Sequence, residues 1–227
     1  GSMGGARHLH TATLLADGDV LVTGGQFGAN SLASCEVYDA ATGTWSPTGA
    51  LGVARFYHSA TKLRDGRVLV AGGIGAGTTC ELYDPSTGTC SATGPLAQSR
   101  LLHTATLLPD GRVLVTGGQD SGAWRASCEV YDPTTGTWST TGALSTARDR
   151  HAAVLLPGGD VLVIGGNNGA SHLSSCEAFD PGTGTWSPAG ALNTARQECT
   201  ATLLVDGRVL AAGGKDNGST IHSSCEE

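Results

Sequence analysis

Five segments of the chain carry residues that could bind a metal or an anion. Each segment has an Arg followed three residues later by a His, except the last, which has Cys199 instead. The Arg residues are Arg7, Arg55, Arg100, Arg148 and Arg196, and the His residues are His10, His58, His103 and His151. Converging imidazoles can bind copper or zinc, and guanidinium groups grip carboxylates through paired hydrogen bonds. Two hypotheses follow: these residues hold a repeated fold together, or they bind a ligand.

These segments belong to an internal repeat that runs along the whole chain. Gly pairs recur at 24–25, 72–73, 117–118, 165–166 and 213–214. Each repeat contains four short segments, which in the third repeat are HTATLL, RVLVTGG, SCEVYDP and TWSTTGAL. Asp-Gly or Gly-Gly separates the first two segments and predicts a two-residue hairpin turn with positive φ at both positions. Asp-Pro-x-Thr-Gly separates the last two and also predicts a turn. Since no helical period appears, each repeat predicts a four-stranded antiparallel meander.

Strands such as 113–115 and 161–164 are apolar on both faces, so other sheets must cover both sides of them. Five stacked meanders satisfy this requirement as an all-β propeller of five blades, the last lacking its outer strand. We expect a tail at 1–5, whose GSM is typical of a cloning remnant, and a single propeller domain at 6–227. The predicted blades are 6–53, 54–98, 99–146, 147–194 and 195–227.

The residues also resemble a known repeat family. Gly24-Gly25, Tyr38-Asp39 and Trp45 resemble the Gly pair, Tyr-Asp and Trp of kelch repeats, and the set recurs through the chain. Cys90 departs from this pattern because it stands where the second repeat should have Trp. The fifth repeat stops within its third strand, so a natural fragment, a designed chain and self-association through the incomplete blade all stay open.

Composition argues against several classes of partner. The chain has 13 Lys and Arg against 20 Asp and Glu, a net charge of −7, and no basic run, so we expect no nucleic acid partner and no membrane. Five of the seven Cys occupy one repeat position before Glu, without zinc spacing, and are interpreted as small buried apolar residues. The sequence leaves the compartment open.

The resemblance to kelch adaptor proteins implies a ligand face. In such proteins, Arg at this first-strand position and Ser at this third-strand position line a pocket for acidic peptides. The matching hydroxyl residues here are Ser34, Thr79, Ser127 and Ser175. Each repeat also has a Glu after its Cys that could pair with the Arg, and this structural pairing is the favoured interpretation. Among the variable loops, Trp124 and Arg125 resemble a binding hot spot, an aromatic anchor beside a cation.

A metal-dependent enzyme is the alternative. Arg55-Phe56-Tyr57-His58-Ser59 resembles the R-x-Y-H-S segment of galactose oxidase, a kelch-type propeller enzyme, and this implies copper ligation by Tyr57 and His58. That chemistry also needs a Cys-crosslinked Tyr and a second His from elsewhere in the chain, and Cys199, on an equivalent strand, has no candidate Tyr beside it. We therefore expect no cofactor, no metal and no catalytic residue, and we predict a scaffold that binds a protein or an acidic peptide.

Overall fold

The structure, a computed structural model, describes residues 1–218 and 220–227. Regular structure in this range consists of β-strands. Within these residues no helix has the length and the apolar character that crossing a bilayer requires.

Within the described residues, the strands form five blade sheets of three or four strands and two separate two-stranded hairpins, and neighbouring strands pair antiparallel in each. The first blade contains β1 (Thr11–Leu14), β2 (Val20–Thr23), β5 (Cys35–Asp39) and β6 (Thr44–Thr48), with a small hairpin of β3 (Gln26–Phe27) and β4 (Asn30–Ser31). The second contains β7 (Ser59–Lys62), β8 (Val68–Ala71), β9 (Cys80–Asp84) and β10 (Thr89–Thr93). The third contains β11 (Thr104–Leu107), β12 (Val113–Thr116), β15 (Cys128–Asp132) and β16 (Thr137–Thr141), with a hairpin of β13 (Gln119–Asp120) and β14 (Ala123–Trp124).

The fourth blade contains β17 (Ala152–Leu155), β18 (Val161–Ile164), β19 (Ser175–Asp180) and β20 (Thr185–Ala191). The fifth has three strands, β21 (Thr200–Leu203), β22 (Val209–Ala212) and β23 (Cys225–Glu226). The protein is thus an all-β, five-bladed propeller whose last blade lacks its outer strand, which confirms the predicted fold class.

The chain divides into two compact units. One is Gly1–Leu101 with Asp132–Trp138, and the other is Leu102–Tyr131 with Ser139–Glu227. The core of the first unit contains Leu15, Leu21, Cys35, Leu51, Val68, Val70 and Tyr83. The main core cluster of the second contains Leu108, Leu114, Cys128, Val130, Leu144, Val161, Val163 and Phe179. The prediction of a single domain over 6–227 stays a prediction.

The second strand of each complete blade is apolar because it is buried on both faces. Val113, Leu114 and Val115 of β12 have no exposed surface, since neighbours cover both sides of the sheet. Burial of this kind contributes about 1.5–3 kcal/mol per large apolar side chain, and it explains why no polar face alternates along these strands.

The hairpin between the first two strands is longer than predicted. Leu15 N–H donates to the Asp19 carbonyl at 2.8 Å, and the φ of Gly18 is 97°. Asp17 does not take the positive φ expected of a two-residue turn; its carboxylate instead accepts the Asp19 N–H at 3.1 Å. An Asx-type turn that needs one positive φ therefore replaces the tighter turn.

Glycine is required at the Gly pairs by the positive φ and by the lack of space for a Cβ atom. Gly24 and Gly25 have φ of 57° and 103°. A Cβ on Gly24 would lie 2.5 Å from the Arg55 carbonyl oxygen, and one on Gly25 would lie 2.8 Å from that of His8. The second strand therefore ends where backbone from two repeats converges, and this brings the Arg segments beside the loops that follow the Gly pairs.

Candidate functional site

The predicted Arg residues lie inside the blades. Arg148 has no exposed surface, and its Nη1 donates to the carbonyls of Gly165 and Ser175 at 2.8 and 2.9 Å. Its Nη2 donates to Ser175 Oγ at 3.0 Å and to Glu177 Oε1 at 2.7 Å, while Nε donates to the Thr146 carbonyl at 3.3 Å. All five N–H donors of this guanidinium therefore have acceptors within the protein.

The arrangement recurs in the other blades. The equivalent groups are Arg7 with Ser34 and Glu36, Arg55 with Thr79 and Glu81, and Arg196 with Ser224 and Glu226. Arg100 is buried as well, and Ser127 occupies the matching position in the third repeat. In the first, second, fourth and fifth blades, the structure thus brings the predicted Arg and hydroxyl residues together within the blade, as the structural hypothesis describes. Contact of this ring with a ligand stays a prediction.

Two of the Glu partners, Glu36 and Glu226, are held ionised by several donors at once. At Glu36, burial opposes ionisation, but hydrogen bonds from Gly4 N–H and from Arg7 outweigh it and lower the pKa of the carboxyl. At Glu226 burial is outweighed in the same way, by hydrogen bonds from Asn193 N–H and from Arg196, and the pKa is again lowered. Glu36 binds backbone that precedes the first blade. The Glu residues of the second, fourth and fifth blades accept N–H groups from the connection to the preceding blade, and there the pairs fix the connections between consecutive blades.

His58 and His151 each bind hydroxyl groups of the preceding blade. His58 Nε2 lies 3.0 Å from Thr11 Oγ1 and 3.0 Å from Thr23 Oγ1, and His151 Nε2 lies 2.9 Å from Thr104 Oγ1. Burial, together with the nearby positive charges of Arg55 and Arg148, lowers the pKa of His58 and of His151 to about 3. Both imidazoles are therefore neutral at pH 7.

The geometry around Tyr57 offers little for copper chemistry. Tyr57 packs its ring on Phe56, with centroids 5.3 Å apart, and its φ is 55°. Across residues 1–218 and 220–227, no group of three or more His, Cys, Asp or Glu side chains is placed to hold a metal ion. The alternative metal residues His10, Tyr57, His58, His103 and His151 therefore remain a sequence prediction.

Trp124 and Arg125 lie in the β13–β14 hairpin, and both side chains make contacts within the protein. Trp124 Nε1 donates to Asp149 Oδ1 at 3.2 Å, and a Cβ on Gly169 would lie 2.5 Å from the Trp124 ring. Arg125 Nη2 lies 3.6 Å from Asp120 Oδ2. The aromatic residue predicted as an anchor for a partner thus joins the hairpin to the next blade.

A second group of loop residues is exposed. Arg150 Nε lies 3.2 Å from Glu198 Oε1, and Lys215 Nζ lies 3.0 Å from Glu198 Oε2. Ile221 is 83% exposed beside them, and a cavity of about 320 Å³ is lined by Glu198, Gly214, Lys215 and Ile221. We call Arg150, Glu198, Lys215 and Ile221 the charged loop surface.

Sequence reasoning did not identify this surface or the buried Asp149 beside it. Asp149 Oδ2 lies 3.9 Å from Arg150 Nη1, and the carboxyl has no exposed surface. Burial raises the pKa of Asp149, against the opposing effects of Arg150 and of the Trp124 hydrogen bond. Variation between repeats could have pointed to these residues, because Phe56 and Tyr57 occupy the positions of Asp149 and Arg150 in the second repeat.

Comparison with known proteins agrees with this architecture. Comparison with curated proteins gives no match. A solved structure described as "Structure of YjhT" is similar with a TM-score of 0.80 and 17% identity, over 98% of this chain and 81% of that one, which shows the fold. The model of the KLHDC2/KLHL20/DRC7 Kelch-repeats domain matches residues 10–214. Because this match spans most of the chain and its repeats carry the Gly pairs, Tyr-Asp and Trp described above, the protein belongs to the kelch-repeat family.

Proposed function

We propose that this kelch propeller is a non-enzymatic binding scaffold that takes an acidic peptide segment of a partner protein on the charged loop surface. The observation that supports this most directly is the exposure of Ile221 beside an ion-paired group of Arg150, Glu198 and Lys215. These side chains differ from their counterparts in other repeats, so the repeated fold does not require them.

The charge of the surface favours an acidic partner. Among the side chains that a partner can reach, Arg150 and Lys215 carry two positive charges and Glu198 carries one negative charge, although the whole chain has a net charge of −7. The Asp149 carboxyl, 3.9 Å from Arg150 Nη1, is buried. A local excess of positive charge attracts carboxylates and weakens as salt is added. An apolar side chain of the partner would cover Ile221, which gives about 1.5–3 kcal/mol when fully buried.

The buried Arg residues support the fold in this proposal. The guanidinium groups of Arg55, Arg148 and Arg196 have protein acceptors for all of their donors. A peptide that used them would first have to displace a Glu. Arg150 and Lys215 also pair with a Glu, Glu198, but their side chains are 27% and 38% exposed, so a peptide carboxylate can reach them from solvent.

Selection from a phage-displayed library of random peptides tests the proposal. We expect the selected peptides to be acidic with one large apolar residue, and to bind less tightly as salt is raised. Ile221→Asp should weaken binding by about tenfold or more, since the lost burial exceeds 1.4 kcal/mol. Lys215→Glu alone should weaken the binding more than Ile221→Asp does, because it replaces a positive charge with a negative one.

Val205→Asp is the matched control, because Val205 is also fully exposed but lies in the turn between β21 and β22, at the other end of those strands. The affinity of Val205→Asp for the selected peptides should equal that of the unsubstituted protein. Peptides that bind Ile221→Asp and Lys215→Glu as tightly as they bind the unsubstituted protein would refute the assignment of this surface.

A further inference from the structure

The second blade differs from the others at the position where its fourth strand meets the preceding blade. Trp138 and Trp186 donate their indole N–H to the carbonyls of Gly94 and Gly142, each at 2.9 Å. Cys90 takes this position in the second blade, and its Sγ donates to the Gly49 carbonyl at 3.5 Å. Cys90 is therefore the structural equivalent of the Trp residues.

This replacement brings two thiols together. In the third blade, the Trp138 indole contacts the thiol of Cys80, which lies on the third strand of the preceding blade. The residue equivalent to Cys80 in the first blade is Cys35. It pairs with Thr48, the neighbour of the Gly49 whose carbonyl Cys90 contacts, so the two thiols lie beside each other. Both sulfurs belong to the same apolar cluster, which includes Leu51 and Tyr83. A Cys in place of Trp has thus converted a thiol–indole contact into a thiol–thiol contact.

The two sulfurs differ in exposure and in acidity. Cys35 is 1% exposed, whereas Cys90 is partly exposed and can be reached by a small reagent. The hydrogen bond from Cys90 lowers the pKa of Cys35, although burial opposes this, and the same contact together with burial raises the pKa of Cys90. The pair therefore loses its first proton more readily than its second, and the remaining proton lies between the two sulfurs.

We propose that Cys35 and Cys90 form a reversible disulfide that joins the first two blades, made by exchange with a small-molecule disulfide. Transfer of the shared proton to Cys35 leaves a thiolate on the accessible Cys90. This thiolate attacks one sulfur of the reagent and expels the other half as a thiolate, which takes up a proton. Cys35 then loses its proton and attacks Cys90 Sγ, which releases the second half as a thiol. In total, one disulfide and two protein thiols become one protein disulfide and two small thiols.

Oxidised glutathione is the probe, applied to a Cys225→Ser background that removes the exposed thiol. We expect loss of two protein thiols, and a non-reducing peptide map that links the peptides of Cys35 and Cys90. The oxidised protein should unfold at a higher temperature, because the bond restrains the unfolded chain, and a reductant should reverse both changes. Retention of all thiols, or a bond between other cysteines, would overturn the proposal.

Two variants at one position keep the test independent of folding defects. Cys90→Ser should keep Cys35 reduced and should abolish the shift in unfolding temperature. Cys90→Trp restores the residue of the other repeats and should likewise prevent the bond, in a well-packed blade. A shift on oxidation that persists in both variants would also count against the pair.

Discussion

The buried His residues predict a loss of stability in mild acid. The folded protein holds His58 and His151 with pKa values of about 3, against an ordinary value of 6.5. The unfolded chain therefore binds protons between pH 6.5 and 3 that the folded protein does not bind. Stability falls as the pH falls through this range, and above pH 6.5 these residues add no pH dependence.

The size of the effect follows from the two pKa values. Between pH 7 and pH 5, each of these His residues should lower the free energy of unfolding by about 2 kcal/mol, since one pH unit corresponds to about 1.4 kcal/mol. The two together give a loss of about 4 kcal/mol. The opposite contribution of Asp149, whose pKa is raised, is common to the proteins compared.

Replacement of one His isolates its contribution. His58→Cys introduces the residue that the fifth repeat has at this position, Cys199. It should lower stability at pH 7 by about 1 kcal/mol through lost hydrogen bonds to Thr11 and Thr23. The further loss between pH 7 and pH 5 should then be about 2 kcal/mol smaller than in the unsubstituted protein.

Urea unfolding followed by Trp fluorescence at pH 7, 6 and 5 measures both quantities. An equal loss of stability in His58→Cys and in the unsubstituted protein would show that the imidazole titrates normally. The account of His58 as a buried, neutral residue would then be wrong.

Two further substitutions test the buried ion pair and the buried carboxyl. Arg148→Met should cost about 3–5 kcal/mol because Glu177 is left buried without its partner, and Arg148→Met with Glu177→Gln should recover part of this in urea unfolding. Asp149 has a raised pKa, so its contribution to stability falls as the pH rises above 3.8 through that pKa. Asp149→Asn should remove this decline while it keeps the acceptor for Trp124, and unchanged unfolding curves between pH 4 and pH 7 would contradict this.

Much of the fold could be predicted because the signals are local and repeated. The apolar segments and the turn residues depend on neighbours within one repeat, and five copies reinforce these signals and that of the Gly pairs. The Arg–Glu pairs could also be predicted, because every repeat has an Arg and a Glu at the positions of Arg148 and Glu177. The turn at Asp17-Gly18 was predicted in place but not in length, since the Asx-type hydrogen bond competes with the two-residue geometry.

The contacts between blades could not be read from the sequence. The contact of Cys35 with Cys90 depends on the register between two blades, which the repeat period does not specify. The contact of Trp124 with Asp149 joins two loops that vary from repeat to repeat, so no pattern relates them. The charged loop surface could not be predicted for the same reason, because its residues lie at positions that vary from repeat to repeat.

The pairing of the first two strands in each blade also explains why Cys199 replaces the His that follows Arg in the other repeats. His58 and His151 follow blades in which the first two strands pair Thr11 with Thr23 and Thr104 with Thr116. Cys199 follows a blade in which Ala152 pairs with Ile164. An imidazole buried at that place would lack hydroxyl partners at a cost of about 1–3 kcal/mol, whereas a thiol is buried there as a small apolar group and its pKa is raised by that burial. His58 and His151 are thus matched to hydroxyl groups of the blade before each of them, and the repeat departs from His at Cys199, where the alkyl side chains of Ala152 and Ile164 take the place of those groups.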